Sequence, residues 1–130
     1  MIFVIHEHFA SHHHFDLRLE MDGVLKSWAV PKQVPALIGE KNLAVEVEDH
    51  PLEYSSFEGE IPEGMYGAGR VSIWDSGTYR LLERTEKKIV IDLAGKQRSG
   101  PYVLLQFKEE DGRRFWLLFR KQNGTPRQKV

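Results

Sequence analysis

The sequence predicts a mainly β protein, a small closed or partly closed β-barrel with Gly-rich loops and little helix. Three observations predict it. Apolar and polar residues alternate with period two in several stretches, turn pairs such as Asp22-Gly23 separate them, and 3.6-residue apolar periodicity is absent beyond one turn near 35–37. Short strands joined by glycine-containing turns fit a barrel or a sandwich. A barrel better explains a row of clustered polar side chains, because its interior or mouth can hold a ligand.

The elements follow in order. Phe3 to His8 opens with the strand-like Phe-Val-Ile. From His14 to Met21, Phe15, Leu17, Leu19 and Met21 alternate with His14, Asp16, Arg18 and Glu20. Asp22-Gly23 then forms a tight hairpin into the strand Val24 to Val30, because both central residues of such a turn need positive φ. Pro31 and Pro35 mark a loop through about Lys41. Leu43 to Asp49 alternates again, and the segment 58–69 is glycine-rich and irregular. Strands are expected at Arg70 to Trp74, Thr78 to Arg84, Lys88 to Leu93, Tyr102 to Lys108 and Arg113 to Lys121. Asp75-Ser-Gly77 and Glu110-Asp-Gly112 supply turns among them. One domain over 1–122 and a frayed C-terminal tail over 123–130 complete the expected organisation.

A chain of 130 residues suits one core, and 41% hydrophobic with 28% charged residues is ordinary for a globular protein. A net charge of -1 excludes a uniformly basic nucleic-acid binder, so 18 Lys and Arg leave room only for a local patch. The absence of cysteine excludes a disulfide scaffold, thiolate ligands and a thiol nucleophile. Neither a signal-type apolar segment nor a run of membrane-spanning length is present, and a soluble cytoplasmic protein is the expectation.

The chemistry concentrates between His8 and Glu20. A strand sends alternate side chains to one face, so His14, Asp16, Arg18 and Glu20 share a face. His12-His13-His14 lies inside this pattern, which sets it apart from an affinity tag. Two imidazoles and a carboxylate leave coordination positions open, as catalytic metal sites need, and a nearby guanidinium suits an anion bridging to the metal. A solvated strand face is the competing reading of the same spacing. The cupin pattern fails here, because His12 and His13 occupy the place of its third ligand. His50 is a second acid–base candidate, equally readable as a turn residue before Pro51, and Tyr54 and Lys32 are ambiguous by themselves. The segment 59–69 lacks the lysine of a nucleotide P-loop.

His8-x5-His14-x-Asp16-x-Arg18-Leu-Glu-x-Asp-Gly-Val-Leu-Lys-Ser-Trp-Ala-Val-Pro-Lys32 resembles the phosphoesterase domain of bacterial ATP-dependent DNA ligase D. Glu48-Asp-His-Pro-Leu-Glu-Tyr54, Gly59-x-Ile-Pro-x-Gly-x-Tyr-Gly-Ala-Gly69 and Ile73-Trp-Asp-x-Gly77 continue the match in colinear order. The resemblance implies a small β-barrel with manganese-dependent 3′-end healing. A 3′-terminal ribonucleoside is removed to leave a 3′-phosphate, which is then removed to give a 3′-OH. It implies His8, His14 and Asp16 as holders of the divalent metal, most simply Mn2+, with Zn2+ or Co2+ as substitutes. It assigns Arg18 and His50 to the scissile phosphate, and Lys32, Glu48 and Tyr54 to further positions that matter.

The implied partners are the 3′ end of a DNA or RNA primer–template and a DNA ligase or repair polymerase acting in trans, with no membrane. The sequence departs from the family pattern in three places. Asn42 stands where an arginine is usual, His6-Glu7 and His12-His13 open alternative ligand sets, and the chain starts after the family's N-terminal arm. A weaker phosphodiesterase than phosphatase step is therefore expected. Two rival functions remain open, a non-catalytic single-strand-binding barrel and a small-molecule metallophosphatase.

Overall fold

A computed structural model describes residues 1–122, so the tail expected at 123–130 lies outside the described residues. Nine strands follow in chain order: β1 Ile2–Phe9, β2 His13–Met21, β3 Val24–Val30, β4 Lys41–His50, β5 Gly59–Ile61, β6 Gly69–Arg84, β7 Lys88–Ala94, β8 Ser99–Glu110 and β9 Arg113–Arg120. All pairings between these strands are antiparallel, in the order β1-β2-β3-β4-β9-β8-β7-β6, and β1 also pairs with β6. That last pairing closes an eight-stranded barrel, leaving β5 as a short strand added to β6. Closure removes the open edges that an antiparallel sheet would otherwise expose.

The hairpins form where the turn chemistry places them. Asp22 and Gly23 have φ of 58° and 80°, and Asp111 and Gly112 have 52° and 77°, the paired positive values a two-residue hairpin requires. The turn expected at Asp75-Ser-Gly77 is instead the middle of a continuous 16-residue β6. A bulge against β1 absorbs the irregularity there, with Ile5 opposite Asp75 and His6 opposite Ile73. The buried Asp75 carboxylate accepts the backbone N–H groups of Ser76, Lys96, Gln97 and Arg98, so it pins the β7–β8 turn. The helical turn expected near 35–37 is also absent. The helical segment among the described residues is a 3-10 turn at Leu52–Ser56.

Phe3, Ile5, Leu17, Leu19, Trp28, Tyr79, Ile91, Tyr102, Leu104 and Leu118 form the core inside the barrel. Alternation therefore turns His14, Asp16 and Arg18 away from it. The polar row occupies the outer face of the wall, not the interior or mouth expected from sequence. Asp16 and Arg18 remain buried and His14 half-buried because the segment 51–69, carrying the 3-10 turn, β5 and a glycine-rich loop, lies across that face. No helix of the described residues is long and apolar enough to cross a membrane.

Candidate metal centre

Cross-strand register assembles the site. His8 on β1 lies opposite His14 on β2, and His6 lies opposite Asp16. Ligand atoms of His8, His14 and Asp16 all fall within 4.8 Å of one another. His8 Nε2 donates to the Gly67 carbonyl at 2.9 Å, and His14 Nδ1 donates to the His12 carbonyl at 2.9 Å. Each backbone contact fixes a tautomer, leaving His8 Nδ1 and His14 Nε2 as lone-pair donors.

Those lone pairs face the two oxygens of Asp16, His8 Nδ1 at 3.3 Å from Oδ2 and His14 Nε2 at 3.2 Å from Oδ1. Acceptor facing acceptor in a buried place demands a cation between them or a second proton on each ring. Two nitrogens and a carboxylate with outer-shell carbonyls are also a donor set suited to Mn, Fe, Co or Zn. The residues fit a divalent metal. Asp16 stays ionised despite its burial, because contacts from His14 and His8 and the charge of Arg18 hold its carboxyl well below the usual range. A protonated His14 would hydrogen-bond that carboxylate through Nε2, which raises the His14 pKa and is the alternative to a cation between them.

Arg18, 3% exposed, is held on nearly every side. Nε donates to His6 Nδ1 at 3.0 Å, Nη1 to Ser27 Oγ at 2.9 Å, and Nη2 to Asp16 Oδ2 at 3.2 Å. Its Nη1 also sits 3.1 Å from His50 Nδ1. A guanidinium has five N–H bonds, so with these partners one on Nη2 stays free for an incoming anion. The folded site thus offers an anion a single donor from Arg18 and not a bidentate fork.

His50 closes β4 and Tyr54 sits in the 3-10 turn, their rings 4.6 Å apart. The Tyr54 ring also lies 4.9 Å from the Arg18 guanidinium. His50 Nδ1 is 3.0 Å from the Glu48 carbonyl as well as close to Arg18. One nitrogen either accepts from Arg18 or donates to that carbonyl. Burial and the Arg18 charge lower the His50 pKa and favour the neutral ring; because the Arg18 guanidinium can only donate, its contact has Nδ1 accepting and the ring proton on Nε2. Burial raises the Tyr54 pKa and keeps its phenol protonated.

His8, His14, Asp16, Arg18, His50 and Tyr54 all line one cavity of about 700 Å³. Lys32 and Glu48 do not. Lys32 is exposed on the loop after β3, and Glu48 lines an adjacent depression. Asn42 is buried and donates to the Gln33 carbonyl at 2.7 Å, while Lys41 is exposed beside the Phe119 ring. Of the extra histidines, His13 pairs with Glu7 at 2.8 Å on the surface and His12 contributes only its carbonyl. His6, completely buried, is bonded to Arg18 and so belongs to the site without being a ligand. Its place two residues before His8 on one strand is the signal sequence reasoning had available for this.

A closed antiparallel barrel with a His–His–Asp group and a buried guanidinium under a glycine-rich cover defines, among the described residues, a small mainly β protein with a candidate metal centre on its wall. The chain belongs to the DNA Ligase D 3′-phosphoesterase domain family, whose model matches residues 6–106. It is 50% identical over 129 residues to the multifunctional non-homologous end joining DNA repair protein LigD of Mycobacterium tuberculosis, covering 93% of this chain and 16% of that protein. Identity is 46% over 138 residues to LigD of Mycolicibacterium smegmatis, covering 95% of this chain and 18% of the relative. It is 43% over 130 residues to LigD of Pseudomonas aeruginosa, with 96% and 16% covered. The chain thus spans less than a fifth of the length of these curated relatives.

Proposed function

We propose that the protein is a metal-dependent 3′-phosphoesterase that heals nucleic-acid ends during end-joining repair. The observation that carries this reading is the convergence of two tautomer-fixed imidazole lone pairs on the Asp16 carboxylate, beside a guanidinium with one free N–H. The family description and the names of the relatives supply the reaction class and the repair setting.

In this reading His8 Nδ1, His14 Nε2 and Asp16 hold a divalent ion, taken as Mn2+ with Zn2+ or Co2+ as substitutes. When bound, such an ion polarises a phosphoryl oxygen as a Lewis acid. Asp16 also orients Arg18, whose remaining Nη2 N–H is offered to the charge that grows on the phosphoryl group. His50, neutral with its proton on Nε2, donates to a phosphate oxygen or to the leaving oxygen. Tyr54 packs against both His50 and Arg18 and fixes their planes. Lys32 and Glu48, outside the cavity, act in this reading on the flanking substrate rather than on the scissile bond.

Water adds across the bond between phosphorus and the 5′ oxygen of a terminal ribonucleoside, releasing the nucleoside and leaving a 3′-phosphate. A second water then releases inorganic phosphate and leaves a 3′-OH. The substrate is the 3′ end of a DNA or RNA primer–template, and a DNA ligase or repair polymerase uses the healed end in trans.

A 5′-labelled primer–template ending in one ribonucleotide tests the proposal, with and without manganese. Stepwise conversion to a 3′-phosphate and a 3′-OH, abolished by EDTA, is the expected result. Inertness toward this primer and toward a 3′-phosphate primer would overturn the proposal and favour a binding module. Equal activity on free nucleotides and primers would favour a small-molecule phosphatase.

A further inference from the structure

The cavity that holds the metal ligands does not end at its own rim. Val47 and Tyr66 line it, and the same two residues line a second depression whose far side is Arg113 and Arg114. A continuous surface therefore runs from the His–His–Asp group, past Tyr66, to the β8–β9 hairpin.

Tyr66 is 66% exposed, unusual for an aromatic ring with nothing packed over it. The loop beneath it is anchored at two levels. Met65 N–H donates to the Pro62 carbonyl and Ala68 N–H to the Met65 carbonyl. The next residue, Gly67, gives its carbonyl to His8 Nε2 at 2.9 Å. The exposed ring is thus one residue from the bond that sets a metal ligand's tautomer, and its distance from the ligands is held by the fold. An exposed, positioned aromatic beside a phosphate-type centre suits the face of a nucleobase.

At the far side, the positive φ values of Asp111 and Gly112 make a tight hairpin that holds Arg113 in place. The two arginines differ. Arg114 is committed to Glu46, through Nε and Nη2, both at 2.9 Å. Arg113 has no carboxylate partner among the described residues, and its guanidinium stands 5.7 Å from the Phe115 ring centre. One guanidinium is therefore available in the depression. Glu48 is the opposing charge there, since Glu46 is already bonded to Arg114 and Trp116. Such a balance supports one phosphate contact and excludes a long electrostatic track, in keeping with the net charge of -1.

We propose that this surface is the subsite for the strand that carries the reacting 3′ end, with Tyr66 stacking on a terminal base and Arg113 binding one upstream phosphate. The inference rests on the phosphoesterase reading for the identity of the strand. It adds where on the protein that strand lies, and it names the residues that hold it.

Fluorescence anisotropy of a labelled single-stranded oligodeoxynucleotide ending in a 3′-phosphate, measured in EDTA with the full chain, separates binding from hydrolysis. Tyr66→Ala is expected to weaken binding roughly tenfold, as loss of one stacked base does, while Tyr66→Phe keeps the affinity. Arg113→Ala is expected to weaken binding and to lower the slope of log affinity against log salt by about 0.7, the signature of one single-strand phosphate. A 3′-phosphorylated mononucleotide should compete far more weakly than the strand. Circular dichroism melts check that both variants, altered only at exposed residues, stay folded.

Unchanged affinity in both variants, no measurable binding by the wild type, or equal competition by the mononucleotide would each overturn the subsite. If the wild type binds with the stated dependence but hydrolyses neither 3′-ribonucleotide nor 3′-phosphate ends with manganese, the phosphoesterase reading fails and the strand subsite stands. Hydrolysis that is indifferent to chain length and to both variants gives the reverse.

Discussion

Arg18 Nε donates to Nδ1 of His6 at 3.0 Å, and the same imidazole donates from Nε2 to the Phe57 carbonyl at 3.1 Å. Burial, followed by the Arg18 charge, lowers the His6 pKa to about 4, which leaves the ring neutral and Nδ1 free to accept. His6 therefore ties the guanidinium on the barrel wall to the segment that covers it. Replacing it by leucine strands a buried N–H of a charged group and frees the Phe57 carbonyl. His6→Leu should lower stability by about 1–3 kcal/mol, read as a reduced urea midpoint with unchanged slope. His6→Gln, which can accept and donate in the same place, should recover part of that loss. A leucine variant as stable as wild type would show that the bond contributes nothing net.

The ligand assignment has a test that does not depend on turnover. An ion that binds only the folded state raises stability by about 2.7 kcal/mol at a hundredfold excess over its dissociation constant. Manganese should therefore raise the melting temperature of the wild type and leave those of His14→Ala and Asp16→Asn unmoved. Both variants should also lose phosphoesterase activity while keeping the far-ultraviolet spectrum of the barrel. A manganese-dependent rise that persists in His14→Ala would remove His14 from the ligand set.

Asp75 is 5% exposed and satisfies four backbone N–H groups, three of them in the turn joining β7 to β8. Asp75→Ala deprives all four of that acceptor. A loss of about 1–3 kcal/mol is expected, since the charged acceptor of four hydrogen bonds is removed while the donors, on exposed or half-buried residues, regain water. Hydrogen exchange should quicken first at Lys96, Gln97 and Arg98. The same substitution should leave the metal-induced shift in melting temperature intact, because none of these groups lines the ligand cavity.

Tyr79 supplies a pH dependence. Its hydroxyl donates to the Glu20 carbonyl, and burial, reinforced by the Glu20 charge, pushes its pKa up to about 12. A group raised in the folded state gives its full contribution below the unfolded value near 10 and loses it as pH rises through the folded value. Over that window the loss amounts to roughly 3 kcal/mol. Denaturant midpoints of the wild type should fall more steeply between pH 10 and 12 than those of Tyr79→Phe. Parallel pH profiles would contradict this assignment.

The mainly β architecture, the Asp22-Gly23 and Asp111-Gly112 hairpins, and the common face of His14, Asp16 and Arg18 were all determined by the sequence alone, whereas closure of the barrel rests on the distant pairing of β1 with β6. Each of the former is a local property, either the period of two along a strand or the positive φ that a two-residue turn requires. The quoted motifs likewise pointed to the family by themselves. Tertiary structure decided the rest. Whether the polar row faces the barrel interior or its outside depends on which side the core fills, and alternation cannot choose a side. The cover at 51–69 makes that outer face a buried site, through contacts such as His6 to Phe57 and His8 to Gly67 that span more than fifty residues of chain. Long-range register also made His6 a neighbour of Arg18, used up all but one of that guanidinium's N–H bonds, and kept Lys32 out of the cavity. Pairings between distant segments leave no periodic trace in either segment, and so only the folded chain displays them.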